Sequence, residues 1–234
     1  MGRIRTAVPT ADLHFLKLDL ASLDSVRDAA AEFLNRGEPL DLLVNNAGVA
    51  GSRGITKDGF ELTFGVNHVG HFLFTLLLAD KLVESAPSRV VTVASRGHYG
   101  ASGIDWDAVR QPTRAATGFP EYQVSKLANV LFSAELHRRF HDRGVSTYSL
   151  HPGVVASDIW RRIPWPVRSI MKRFMISGDE GATTTLHCAL AEDADSGLYW
   201  DECAPKKPSR PARDEALAAE LWQRSLDWVA DYLT

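Results

Sequence analysis

At 234 residues, with 45% hydrophobic and 24% charged side chains, the chain has the composition of one ordinary domain covering 1–234 and length enough to bury a sizeable core. A formal net charge of −3 argues against nucleic acid as a partner, because binding there rests on clustered Lys and Arg. Two cysteines, Cys188 and Cys203, lie outside any C-x-x-C pattern and no signal-like apolar segment opens the chain, so the expected setting is reduced and cytoplasmic.

Residues 1–12 show no periodicity and read as an irregular lead-in. Leu13–Leu18 reads as a short strand ending at Asp19. Ser22 is a good N-cap, and Val26, Ala29, Ala30, Phe33 and Leu34 follow at helical spacing before a stop at Gly37. Residues 40–44 make an apolar strand that ends abruptly in Asn45-Asn46-Ala47-Gly48. A long helix is expected over 57–85, with Leu62, Val66, Val69, Leu73, Leu76 and Leu77 on one side. Its most apolar stretch is interrupted by Glu61, Asn67, His68, His71 and Asp80, which argues against a membrane span. Residues 89–94 form the next strand, and 95–120 read as a loop with a turn of helix anchored by Trp106.

A helix then runs from Tyr122 to about Arg143, followed by a strand over 145–150 that ends in His151-Pro152-Gly153. Helices near 166–176 and 179–190, a short strand at 198–200 and a closing helix from Ala212 complete the pattern. Strands alternating with helices imply parallel pairing, hence an α/β sheet with helices on both faces. Such sheets bind ligands beyond the carboxyl ends of their strands. Asn45–Gly48, Ser95 and Pro152-Gly153 all fall at those ends.

Tyr122 and Lys126 lie four residues apart on the same helix, so their side chains project from one face. A free tyrosine has a pKa of about 10 and needs roughly 3 units of downward shift to exchange protons readily near neutrality. A fixed ammonium nearby favours the phenolate and supplies part of that shift. Tyr122 at the start of its helix can reach the same rim as the three strand ends. His68, His71, His151 and His187 show no metal-ligand spacing and read as structural, so no metal is expected.

In their order and spacing, Asn45-Asn46-Ala47-Gly48, Ser95, Tyr122-x-x-x-Lys126 and Pro152-Gly153 resemble the short-chain dehydrogenase/reductase family from Leu13 onward. The phrases GVNHVGHFLF at 65–74, SRVVTVAS at 88–95, KLANVLFSAEL at 126–136 and GATTTLHCALAEDADSGLYW at 181–200 look most like its retinol-dehydrogenase-like branch. The resemblance implies a Rossmann-like, doubly wound parallel sheet and hydride transfer between NADP or NAD and a small apolar alcohol, aldehyde or ketone. It also implies roles for particular residues. Tyr122 is the general acid/base, Lys126 lowers its pKa and binds the nicotinamide ribose, and Ser95 hydrogen-bonds the substrate oxygen. Asn67 holds a water linking Lys126 to solvent. Asn45, Ala47 and Gly48 line the adenosine side, Asp19 accepts from the adenine amino group, Pro152 and Gly153 form the nicotinamide corner, and Ser157 bonds the nicotinamide amide.

One family feature is missing. The fingerprint T-G-x-x-x-G-x-G is absent, and only 12 residues precede Leu13, against the roughly 30 of the βαβ unit that carries it. The fold is therefore expected to be N-terminally incomplete, lacking its first βαβ unit. Gly48, Gly51 and Gly54 do not lead straight into a helix and are no substitute. Two readings stand: an oxidoreductase whose sequence begins upstream of Met1, or a catalytically silent binding or regulatory protein. Preference between NAD and NADP is unreadable, and residues 1–234 alone are expected to bind dinucleotide weakly. The basic, amphipathic segment 160–176 suits a substrate lid or peripheral membrane contact, and a homodimer is compatible with the pattern.

Overall fold

The computed structural model describes residues 2–153 and 178–233. Its sheet has the order β1-β2-β3-β4-β5, formed by Leu42–Asn45 (β1), Ser88–Val93 (β2), Val145–His151 (β3), Tyr199–Asp201 (β4) and Ala204–Pro205 (β5). β1 to β4 are parallel, with Leu43 beside Val90, Val91 beside Tyr148 and His151 beside Asp201, whereas β5 returns antiparallel to β4. The architecture is α/β and Rossmann-like.

Two short helices open the chain: Gly2–Ala7 (α1), which buries nothing, and Leu23–Leu34 (α2). The β1–β2 crossover contains Leu62–Phe64 (α3), a π-helical turn at Gly65–Val69, Gly70–Leu77 (α4) and Ala79–Glu84 (α5). Phe119–Phe140 (α6) joins β2 to β3, Gly178–Leu190 (α7) precedes β4, and Glu215–Val229 (α8) closes the chain. On one face of the sheet Val26, Phe72, Val90, Leu127, Leu131 and Leu221 form the larger core. On the other, Val91, Val93, Tyr148, Leu150 and Trp200 pack with Cys188 and Ala189 of α7. Each fully buried leucine of this kind contributes about 2 kcal/mol. Helices on both faces leave the carboxyl ends of β1 to β3 as the rim that carries polar residues.

Several boundaries differ from the sequence reading. Residues 13–18 form no strand, and Phe15 is 72% exposed. A strand needs a neighbour for its N–H and C=O groups, and among the described residues β1 pairs only with β2. The lead-in is not wholly irregular, since it contains α1. Ser22 makes no side-chain cap; the Leu23 N–H donates instead to Asp58 Oδ2 at 3.0 Å. The helix expected from Lys57 begins at Leu62, because Thr56–Phe60 closes a turn (Thr56 N to Phe60 O, 2.8 Å) with Gly59 at φ 79°. Glu61 then caps α3 by accepting from the Phe64 N–H.

α6 starts at Phe119, with Pro120 in its first turn where a missing N–H costs nothing. The closing helix starts after Asp214, whose carboxylate accepts from the Leu217 N–H, rather than at Ala212. β5, only two residues long and containing Pro205, has no strand signal in the sequence. Ser157 and the segment 160–176 lie outside the described residues. Among the described residues no helix is long and apolar enough to cross a membrane.

Candidate active site

The site is built where the first two turns of α6 pass the end of β2. Gly118, at φ 63°, lets the chain turn into the helix, and Tyr122, Ser125, Lys126 and Asn129 then face the sheet, all buried. Lys126 Nζ donates to the Val93 carbonyl at 2.8 Å, and Asn129 Nδ2 donates to the same oxygen at 3.2 Å. The ammonium lies 5.7 Å from the centroid of the Tyr122 ring. Ser95, two residues beyond β2, accepts from the Gly97 N–H at 3.0 Å, and its hydroxyl and the Tyr122 ring flank Gly97 together. Tyr122, Ser95 and Lys126 thus meet in one buried corner.

Asn67 reaches that corner from the π-helical turn. An extra residue in a helical turn of this kind re-aims side chains and is frequent at functional sites. Its Oδ1 accepts from the Val49 N–H at 2.8 Å, while Nδ2 donates to the Val49 carbonyl at 3.0 Å and to Ser125 Oγ at 3.0 Å. Ser125 Oγ in turn donates to the Tyr122 carbonyl at 2.8 Å. The Asn67 amide therefore braces the loop after β1 against α6. Its backbone carbonyl takes a hydrogen bond from His71 Nδ1 at 3.0 Å. The water-holding role of Asn67 rests on the resemblance, not on these bonds.

Gly48 lies within this brace. A Cβ there would stand 2.9 Å from Asn67 Oδ1 and 3.8 Å from Lys126 Nζ. Since Asn67 is fully buried and held at both ends of its amide, it has nowhere to retreat. Gly48→Ala is expected to break the Asn67–Val49 pair and to cost about 1–3 kcal/mol, read as a lower urea midpoint. An unchanged midpoint would show that the loop after β1 adapts freely.

The remaining predicted residues are spread along the rim. Asn45 is buried at the end of β1, and its Nδ2 donates to Thr75 Oγ1 at 2.9 Å, which ties the strand to α4. Ala47 is exposed in the following loop. Pro152 and Gly153 are half-buried after β3, with Gly153 at φ 87°. Asp19 is exposed and makes a local turn, its Oδ1 accepting from the Ala21 N–H at 3.0 Å. Three contributors escaped the sequence reading: Ser125, Asn129 and His98. Ser125 and Asn129 follow Tyr122 by three and seven residues, helical spacings that put them on its face.

Electrostatically, burial lowers the Lys126 ammonium to about 8, so it stays largely charged at neutrality. Burial also raises the Tyr122 phenol above its usual range, opposed only by the nearby Ser95 hydroxyl. The expected depression by Lys126 is not seen in this geometry, where the ammonium is turned to Val93. Tyr122 is held as a neutral phenol.

A nicotinamide dinucleotide fits part of this arrangement. Lys126 spends one N–H on Val93, leaving two for ligand hydroxyls beside Tyr122 and Ser95. Among the described residues no glycine-rich turn leads straight into a helix to cradle a pyrophosphate; Gly48, Gly51 and Gly54 precede a turn, and α3 begins only at Leu62.

The family model described as short chain dehydrogenase matches residues 3–106. Retinol dehydrogenase 12 of Mus musculus is 41% identical over 234 aligned residues, covering 97% of this chain and 72% of that protein. The chain belongs to the short-chain dehydrogenase family. Retinol dehydrogenase 13 of Homo sapiens is 42% identical over 219 aligned residues, covering 89% of this short-chain dehydrogenase and 66% of that protein. Among solved structures, an uncharacterized protein from Mycobacterium paratuberculosis superposes with a TM-score of 0.75 at 30% identity, covering 98% of this chain and 80% of that one. An NADPH-bound carbonyl reductase from chicken fatty liver superposes at 0.63 with 20% identity, over 89% of this chain and 81% of that one, and shows the fold alone. The protein is thus a retinol-dehydrogenase-like oxidoreductase of this family, whose chemistry uses a nicotinamide dinucleotide.

Proposed function

We propose that the protein interconverts an apolar alcohol and its aldehyde or ketone, with Tyr122, Ser95 and Lys126 as the catalytic group. The observation that carries this is their convergence in one buried corner at the end of β2. The dinucleotide, when bound, supplies or accepts the hydride. Tyr122 donates its phenolic proton to the carbonyl oxygen in reduction and takes it back in oxidation. Ser95 donates a hydrogen bond to the same oxygen as charge develops there. Lys126 contributes the positive charge that steadies the phenolate after the proton has left. Lys126 and Tyr122 would hold the nicotinamide ribose, Asn45, Ala47, Gly48 and Asp19 the adenosine side, and Pro152, Gly153 and Ser157 the nicotinamide corner.

An apolar substrate is supported by the retinol dehydrogenases among the relatives and by Phe119. This ring is 42% exposed and stacks on Tyr122 at 5.9 Å between centroids and 25° between planes. It forms an apolar wall beside the reacting hydroxyl. Full-length protein assayed with NADH and NADPH is expected to reduce a long conjugated aldehyde such as retinal with higher kcat/KM than acetaldehyde. Phe119→Ala is expected to shrink that preference by about tenfold, equivalent to 1.4 kcal/mol. Dinucleotide binding without turnover of any alcohol or carbonyl would replace this reading with that of a silent binding protein.

A further inference from the structure

Beyond the residues that meet the substrate oxygen, the loop carrying Ser95 is anchored from a strand two places away. Arg96, the next residue, crosses the end of β3 to reach β4. Its Nε donates to Asp201 Oδ2 at 2.6 Å, and its Nη2 donates to Asp201 Oδ1 at 3.1 Å and to Glu202 Oε1 at 2.9 Å. The Asp201 side chain is only 8% exposed, against 51% for Arg96. A planar guanidinium that grips both oxygens of a fixed carboxylate is constrained in direction as well as distance, which a lysine cannot reproduce.

The backbone beneath Arg96's partners is itself unusual. Glu202 and Cys203, the two residues between β4 and β5, have φ of 55° and 56°, a left-handed conformation that L side chains disfavour. Two such residues make the tight hairpin that turns Asp201 and Glu202 toward one guanidinium. Neither is glycine or asparagine, the residues a turn of this shape normally prefers. On the inner side His98 Nδ1 donates to the Ser95 carbonyl at 2.6 Å, while its Nε2 accepts from the Ser209 N–H at 3.2 Å. The ring packs on Tyr199 of β4 at 4.8 Å. Tyr99 adds a hydrogen bond from its hydroxyl to the Lys207 carbonyl at 2.7 Å.

We propose that Arg96 and Asp201 are positioning residues, a two-point clamp that fixes the turn after β2 so that the Ser95 hydroxyl stays at the Tyr122 phenol. The inference rests on the assignment of Ser95 to the reaction. The clamp acts through the backbone: with Arg96 held, the Gly97 N–H is kept on Ser95 Oγ, and that bond orients the hydroxyl. A half-exposed ion pair serving stability alone would tolerate lysine, since charge is retained. A directional clamp would not.

Arg96→Lys and Asp201→Asn are the tests, in the full-length protein. Amide hydrogen exchange at Gly97 is expected to speed up about tenfold or more in both, with a thermal midpoint close to wild type for Arg96→Lys. Turnover is expected to fall about tenfold in kcat with the dinucleotide KM unchanged, and the fall should vanish when Ser95→Ala is already present, because coupled residues are not additive. Unchanged Gly97 exchange, or losses from Ser95→Ala and Arg96→Lys that multiply, would overturn the clamp. If Ser95→Ala alone retained wild-type turnover, the assignment of Ser95 would fall, while the exchange measurement would still decide whether Arg96 holds the turn. Should Asp201→Asn fail to fold, Arg96→Lys carries both readouts by itself.

Discussion

Tyr122→Phe is expected to abolish turnover, by a factor of about 10²–10⁴ from the lost proton transfer alone, while leaving the fold intact. The substitution removes one oxygen and keeps the ring, which is buried and stacked on Phe119. Losing one side-chain hydroxyl costs about 1 kcal/mol, too little to unfold a domain. Because the same hydroxyl gives the proton in reduction and takes it in oxidation, the loss in kcat/KM should be equal in the two directions. Steady-state kinetics on full-length protein, with circular dichroism to check the fold, are the measurement. A phenylalanine variant that turned over at the wild-type rate would remove Tyr122 from the mechanism and leave Ser95 and Lys126 without a proton donor to serve.

The sequence made the chemistry more legible than its surroundings. Tyr122 and Lys126 could be placed on one face because helical spacing is rigid, and Ser95 could be placed at a strand end because a buried parallel strand is an unbroken apolar run. What escaped was everything decided by partners distant in the chain. Leu13–Leu18 has the composition of a strand but no described neighbour to pair with. The π-helical turn around Asn67 has no periodic signature, since it adds one residue within a pattern that reads as α-helix on both sides. The direction in which Lys126 points was equally hidden: only the fold brings the Val93 carbonyl within its reach. Nothing in the sequence around Asp201 and Glu202 links them to Arg96; only the sheet brings them together.

Acid is expected to unfold the protein well before its carboxylates titrate, because three histidines are buried as neutral rings. His68 lies among Phe64, Phe72 and Phe132, with Nε2 3.0 Å from Ser225 Oγ, and burial, reinforced by His71, lowers it to about 3. His71 is lowered to about 4 by burial, with Lys126 adding to the shift and the bond to the Asn67 carbonyl opposing it. His151, with neither ring nitrogen partnered among the described residues, is lowered to about 4 by burial; Arg96 and His98 add to this, whereas Asp201 and Glu202 oppose it. All three folded values lie below the unfolded value near 6.5. Between those limits the unfolded chain binds protons that the folded chain refuses, so stability is complete above about 6.5 and is lost progressively as pH falls toward 4. At pH 5 each histidine withholds about 2 kcal/mol, from 1.36 kcal/mol per pH unit, and the three together about 6 kcal/mol, comparable with the whole stability of a typical domain. Urea unfolding at pH 7.5, 6 and 5 should therefore show a midpoint that is nearly constant down to about 6.5 and then collapses. His68→Phe combined with Ser225→Ala removes one titrating ring without stranding its partner, and should recover about a third of the loss at pH 5. A midpoint that stayed level from pH 7.5 to 5 would mean that these rings are solvated when folded, and the packing described around His68 would be wrong.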